Sequence, residues 1–321
     1  MSFQGIEEAF HRISGIVNKT PIMTSRTLNN LINSDIYIKC ENFQRAGSFK
    51  FRGAYNALSL LSEEEKKLGV ITHSSGNHAQ ALSLAASLIG IKATIVMPKG
   101  APINKINATK EYSAHIVFCD NTLEARTKTA EELIEKHNFI LIHPYDNNNI
   151  INGQGTAAYE LIKEIGKLDI VIVPLGGGGL LSGTTLATKG LCPNAQVIGV
   201  EPSLADDALR SLEAGYIIPS TYPNTIADGL RTSLCERTFN IIRKYVDNIV
   251  TVSEMEIVEG MRFLWERMKI VVEPSGAVPL AAILSKKVSV EKKKIGIILS
   301  GGNIDVNPFF QLIEKTIDEL C

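Results

Sequence analysis

The stretch DIVIVPLGGGGLLSG, residues 169–183, sets a run of Val and Ile ahead of four consecutive glycines and a resumed apolar segment. Val and Ile without polar alternation mark a strand buried on both faces, as in parallel sheets covered by helices. Four glycines leave the backbone N–H groups bare, and a following helix adds the positive end of its dipole, so the junction suits a phosphate. A plain tight turn is the alternative, but glycine destabilises ordered segments and four in a row need a reason. The spacing is neither that of a P-loop, which ends in Lys-Ser/Thr, nor that of the dinucleotide fingerprint.

The same strand pattern recurs in IYIKC (36–40), GVITH (69–73), ATIVMP (93–98), HIVFC (115–119), FILIHP (139–144), QVIGVEP (196–202), NIVTV (248–252) and IGIILS (295–300). Between them lie stretches of helical periodicity such as ALSLAASLI, LEARTKTAEELIEKH and IVEGMRFLWERM. Alternation of this kind predicts an α/β fold. Nearly every strand runs into Gly, Ser, Asn or Asp, and open α/β sheets bind ligands beyond the carboxyl ends of their strands. HPYDNNNI is the best hinge candidate, and a two-domain division with the cleft between is expected.

Composition narrows the partner. The 321 residues carry 33 Lys plus Arg against 34 Asp plus Glu, so no field favours nucleic acid or an anionic membrane. A small molecule is expected. The five cysteines, Cys40, Cys119, Cys192, Cys235 and Cys321, are scattered, without the close pairs of a zinc site, and read as reduced cytoplasmic thiols. MSFQGIEEAFHRISGIV reads as an amphipathic helix rather than a signal peptide, and no uncharged apolar run reaches the roughly 18 residues that span a bilayer.

Two further stretches carry chemistry. In GSFKFRGA (47–54) Lys50 stands between two aromatic residues. A lysine in an apolar pocket loses solvation of its charged form and becomes a usable amine for Schiff-base chemistry. Together with a phosphate cradle this suggests pyridoxal phosphate. In THSSGNHAQ (72–80) a strand delivers Ser74, Ser75, Gly76, Asn77 and His78 to the start of a helix, where free N–H groups can hold a carboxylate. A Ser/Asn helix cap would satisfy the same residues equally well.

On these segments the chain resembles the fold type II pyridoxal-phosphate enzymes and, within them, the branch of serine racemases and serine/threonine dehydratases. The likeness runs through TPIMTS (20–25), ENFQRAGSFKFRG, THSSGNHAQ, MPKGAP, INGQGT, VPLGGGG, EPSLADD, IADGLR, WERMKIVVEPSGA and LSGGN. It implies a tryptophan synthase β-like architecture: two open, twisted, mostly parallel sheets flanked by helices. Residues 1–68 and 147–321 would form a large cofactor-binding domain, and 69–146 a small mobile substrate domain. By the same resemblance Lys50 carries the cofactor, Gly176, Gly177, Gly178 and Gly179 hold its phosphate, and Phe49 stacks on its ring. Asn77 faces the ring hydroxyl and Ser300 the ring nitrogen, where a neutral hydroxyl makes the cofactor a weaker electron sink than a carboxylate would.

Racemisation takes a proton from one face of the substrate Cα and returns it to the other. Lys50 would serve one face, and Ser75 matches the racemase residue that serves the other, where typical threonine dehydratases carry alanine. Ser74, Asn77 and His78 would hold the carboxylate, and Arg126 matches a racemase active-site arginine. The implied activity is interconversion of L- and D-serine with elimination of serine to pyruvate and ammonia. The alternative is a dedicated L-serine/L-threonine dehydratase without significant racemisation.

EPSLADD concentrates oxygen ligands suited to Mg²⁺, or to Ca²⁺ or Mn²⁺. It resembles the family's metal loop, with Glu201, the Ala205 carbonyl and Asp207 as ligands; an acidic loop that caps the next helix is the other reading. The resemblance extends to an allosteric ATP at a homodimer interface, at Ser25, Arg26, Thr27, Arg45, Ala46, Gln80, Tyr112, Lys269 and Asn303. There Arg45, Ala46 and Arg26 depart from the vertebrate pattern, as do Tyr145 and Thr232 nearer the chemistry.

Overall fold

The computed structural model describes residues 2–74, 76–100, 103–221 and 223–318, so Ser75 lies outside the described residues. The strands are β1 (Ile22–Met23), β2 (Asp35–Cys40), β3 (Val70–His73), β4 (Ala93–Pro98), β5 (His115–Cys119), β6 (Ile140–Leu141), β7 (Ile170–Pro174), β8 (Gln196–Pro202), β9 (Asn248–Val252) and β10 (Lys294–Leu299). The first helices are α1 (Phe3–Ile13), α2 (Arg26–Ile32), α3 (Lys50–Ser59), α4 (Glu63–Leu68), α5 (Asn77–Ile89), α6 (Ile103–Glu111) and α7 (Leu123–His137). They are followed by α8 (Asn148–Ile165), α9 (Gly179–Leu191), α10 (Asp207–Ala214), α11 (Glu236–Tyr245), α12 (Glu254–Phe263), α13 (Pro274–Leu284) and α14 (Val306–Asp318).

The strands form two sheets, of order β1-β2-β10-β7-β8-β9 and β5-β4-β3-β6. Every pairing is parallel except that of β1 with β2. Successive residues of the larger sheet feed opposite cores. Ile170, Ile172, Ile295 and Ile297 pack into one, and Val171, Val173 and Ile298 into the other. Burial on both faces is why these strands read as unbroken Val and Ile. The smaller sheet lies within residues 70–141 and has its own core around Leu82, Ile95 and Met97.

Two expected elements differ in extent. FILIHP yields only the two-residue β6, because His143 Nδ1 accepts the amides of Tyr145 (3.4 Å) and Asp146 (2.9 Å) and turns the chain. IVEGMRFLWERM does not continue as one α-helix. A π-helical turn over Leu264–Met268 follows α12, and Lys269 ends it in the left-handed region at φ 61°. Extra residues in a helix register of this kind recur at functional sites.

A fully buried charge network fastens α3 to the larger sheet. Arg52 binds Glu41 and Glu160 at 2.7 Å each, Lys39 binds Glu160 at 2.7 Å, and Thr20 donates to Glu41 at 2.6 Å. No helix among the described residues is long and apolar enough to cross a membrane.

Candidate active site

Side-chain caps are distributed unevenly among the helices. Ser2, Ser25, Ser62, Thr122, Asn147 and Ser253 cap α1, α2, α4, α7, α8 and α12 in the ordinary way. The N-termini of α3, α5, α9 and α13 carry no side-chain cap, their preceding residues being Phe49, Gly76, Gly178 and Glu273. The starts of α3, α5 and α9 carry expected site residues, and at α5 and α9 the first-turn N–H groups are placed to meet ligand atoms. Among the described residues no side chain caps α5. Ser74 Oγ instead accepts the Gly76 amide at 3.3 Å.

Lys50 opens α3. Its Nζ donates to the Pro144 carbonyl at 3.1 Å and lies 5.1 Å from the centre of the Phe49 ring. Burial lowers its amine from the ordinary lysine range to about 8, with the Glu273 carboxylate pulling weakly the other way. The segment before it is tied to the loop after β10: the Phe49 amide donates to Ser300 O at 3.0 Å, and Ser48 bridges Gly301. Phe49 and Ser300 are therefore neighbours.

Asn77 is held from both sides. Its Nδ2 donates to Glu273 Oε1 at 2.7 Å and its Oδ1 accepts Asn303 Nδ2 at 2.9 Å, which leaves one N–H for a ligand. Glu273 has no role in the sequence reading, although WERMKIVVEPSGA contains it; its position before the Pro274 that starts α13 was the available signal. His78 departs from its expected part. Its buried ring is within 3.0 Å of Ile142 O through Nε2, so Nε2 carries the proton and Nδ1 cannot donate to a carboxylate. Burial, reinforced by Lys50, depresses its pKa to about 3. Only its backbone N–H, in the first turn of α5, can face a carboxylate.

The glycine cradle precedes and opens α9. Gly178 has φ 84°, a conformation that side chains disfavour. A Cβ on Gly176 would lie 2.9 Å from Leu230 Cα, and one on Gly177 would strike the Tyr145 ring. Thr232 Oγ1 also borders Gly176, which brings two of the five departures from the vertebrate pattern, Tyr145 and Thr232, to the cradle. Tyr145 continues an edge-on series through His143 (4.7 Å) to His73 (5.7 Å). Burial lowers both imidazoles, His143 to about 4, and Arg126 lowers His73 further. The half-buried Arg126 guanidinium has no hydrogen bond or ion pair among the described residues.

In the acidic loop Glu201 accepts the amides of Ala208 (3.1 Å) and Leu209 (2.9 Å), so it caps α10 from a distance. Asp207 buries both oxygens without a well-formed hydrogen bond. Burial raises Glu201 to about 8 and Asp207 to about 6. No cluster of three or more His, Cys, Asp or Glu side chains that could hold a metal occurs among the described residues. The loop holds three carboxylates: Glu201 and Asp207 are buried, and Asp206 pairs with Arg210 at 2.8 Å. Of the nine expected nucleotide residues only Asn303 and Ala46 share a hydrogen bond among the described residues, at 2.8 Å. Ser25 caps α2, with Arg26 and Thr27 following it, and Lys269 Nζ donates to Glu266 O. Arg45 Nε is buried without a partner, Gln80 is buried in α5, and Tyr112 is half-buried just past α6.

An amine of lowered basicity, an uncapped glycine-rich helix start, an aromatic wall and an amide with a spare N–H fit a phosphorylated pyridine aldehyde. The comparisons with known proteins agree. The family model "Pyridoxal-phosphate dependent enzyme" matches residues 13–301. The L-threo-3-hydroxyaspartate ammonia-lyase of Saccharomyces cerevisiae is 50% identical over 99% of this chain and 98% of its own length. The serine racemase of Dictyostelium discoideum is 48% identical over 98% of each. The crystal structure of the Dictyostelium discoideum serine racemase superposes with a TM-score of 0.91 at 49% identity, covering 95% of this chain and 99% of that one. The chain belongs to the pyridoxal-phosphate dependent enzymes, with the fold type II architecture of two mostly parallel sheets flanked by helices.

Proposed function

We propose that this protein is a pyridoxal-phosphate-dependent serine racemase that also eliminates serine to pyruvate and ammonia. The observation that carries the reading is the Lys50 amine, of basicity lowered to about 8 and hydrogen-bonded to Pro144 O, beside the uncapped start of α5. The bound cofactor acidifies the substrate Cα hydrogen by withdrawing electrons from it. The substrate carboxylate lies against the free N–H groups of α5, the Lys50 amine takes the α-proton, and the Ser75 hydroxyl returns one to the opposite face. When the β-hydroxyl departs instead, the product hydrolyses to pyruvate and ammonia. Relatives named serine racemase at 46–48% identity support this reading.

A second reading has its own support. Relatives named L-threo-3-hydroxyaspartate ammonia-lyase reach 50% and 48% identity, and the unpaired Arg126 beside His73 offers a cation for a further carboxylate on the substrate. The chemistry at Lys50 is the same and the preferred substrate differs. The finer features belong to the same proposal: residues 69–146 move as a small domain, Glu201, Ala205 and Asp207 hold Mg²⁺, the protein is a cytoplasmic homodimer, and ATP modulates it. Two buried acidic groups of raised pKa suit a divalent cation.

The test is to incubate cofactor-loaded protein separately with L-serine and with L-threo-3-hydroxyaspartate, measuring D-serine by chiral chromatography and keto acid in the same samples. D-Serine alongside pyruvate is expected. Keto acid from hydroxyaspartate, with no D-serine from L-serine, would replace the first reading by the second.

A further inference from the structure

The motif INGQGT places Gln154 between two glycines on α8, and each glycine admits a different helix. A Cβ on Gly153 would lie 2.6 Å from Arg52 O and 2.7 Å from Gly53 Cα, so α3 approaches backbone to backbone there. A Cβ on Gly155 would lie 2.7 Å from Gly183 O, so α9 does the same on the other side. Gln154, fully buried, occupies the corner between them. Its stem passes Gly53, one turn beyond Lys50, where a Cβ would meet Gln154 Cγ at 3.0 Å. Its Oε1 lies 2.6 Å from where a Gly179 Cβ would stand. Its Nε2 donates at 3.3 Å to Pro144 O, the carbonyl that also accepts Lys50 Nζ at 3.1 Å.

Proline fixes φ at residue 144 but not ψ, and ψ aims the carbonyl. The side-chain amide of Gln154 supplies the missing restraint. A neutral amine that donates one hydrogen to a fixed acceptor can no longer spin freely about Cε–Nζ, so its lone pair keeps one direction. We infer that Gln154 is a positioning residue for the Lys50 amine: it holds the Pro144 carbonyl as a docking point that aims the free amine at the substrate α-hydrogen. The inference rests on the reading of Lys50 as the α-proton acceptor. Small misplacements of a reacting group reduce rate far more than binding, by up to about a hundredfold per ångström.

Two variants of the full chain test it. Gln154→Met keeps length and volume and removes the amide donor. With cofactor-loaded protein and L-serine, kcat for D-serine and pyruvate together is expected to fall about tenfold or more. KM should stay within about twofold, and the isotope effect with α-deuterated L-serine should rise as proton transfer becomes limiting. Gln154→Glu puts a carboxylate beside the amine, which favours its charged form. The pH midpoint for capture of pyridoxal by the cofactor-free full chain, followed by absorbance, is then expected to move up. Pyridoxal lacks the phosphate, so charge at the cradle does not enter. A Met variant with kcat within twofold and an unchanged isotope effect overturns the inference, and so does a raised KM with kcat intact. An unmoved midpoint in the Glu variant overturns it independently and also serves if the Met variant does not fold. Wild type that turns over no L-serine would sink the proposed reaction alone, because pyridoxal capture reads the Gln154–Lys50 arrangement without turnover.

Discussion

At Lys50 burial and the Glu273 carboxylate act in opposite directions, and burial prevails, so the amine titrates near 8. Only the neutral amine accepts a proton, and with a pKa near 8 about a tenth of it is neutral at pH 7. The rate of cofactor capture is therefore expected to climb through pH 8 and level above about pH 9, as a stopped-flow pH series would show. In the proposed reaction the Ser75 hydroxyl serves the opposite face. Ser75→Ala is expected to lower D-serine formation by about a hundredfold or more while pyruvate formation persists, measured by chiral chromatography and a coupled assay. Lys50, Asn77 and the glycines were legible because each belongs to a short contiguous motif. Glu273, Gln154 and His143 were not, because their roles come from contacts with Asn77, Pro144 and Tyr145, formed only when separate helices and loops meet.

Among the elements, α3 shows most clearly how the fold serves the site. Lys50 begins it, and two residues later the buried Arg52 anchors it to Glu41 beyond β2 and to Glu160 on α8. Removing one member of a buried charge network leaves its partners uncompensated, which costs about 3–5 kcal/mol. Arg52→Met should lose stability of that order in urea unfolding, since Glu41 and Glu160 would share only Lys39 and Thr20. Strands were read from sequence almost to the residue in β5, β7 and β9, of which β7 alone is buried along its whole length. The reading overran at β6, where a side-chain nitrogen of His143 turns the chain, and at α12, where a π-helical turn keeps the apolar periodicity while changing the register. Neither device has a composition that distinguishes it from its surroundings.

For the molecule as a whole, the acidic loop links stability to pH and, on the proposed metal reading, to a divalent cation. Glu201 titrates near 8 in the folded protein against about 4.5 for an ordinary glutamate. The folded state therefore binds the proton more tightly between those values, and this group's contribution to stability falls as pH rises through them. A divalent cation competes with that proton. The rise in thermal midpoint on adding Mg²⁺ should therefore grow from pH 6 to pH 8.5, and Asp207→Asn should abolish it; a rise independent of pH would remove these carboxylates from the metal site. The α/β class and parallel pairing were legible in the sequence because composition and alternation report burial. The strand order was not, since it depends on which distant segments pair.

That order has a consequence for how the protein is made. β10, which follows every other strand of its sheet in the chain, pairs with β2 on one side and β7 on the other. The larger sheet thus cannot close on the ribosome until residues 294–299 emerge, whereas all four strands of the smaller one are complete by Leu141. A nascent chain stalled before Lys294 would present two apolar strand edges flanking an empty slot, a natural docking place for a chaperone or for a neighbouring unfinished chain.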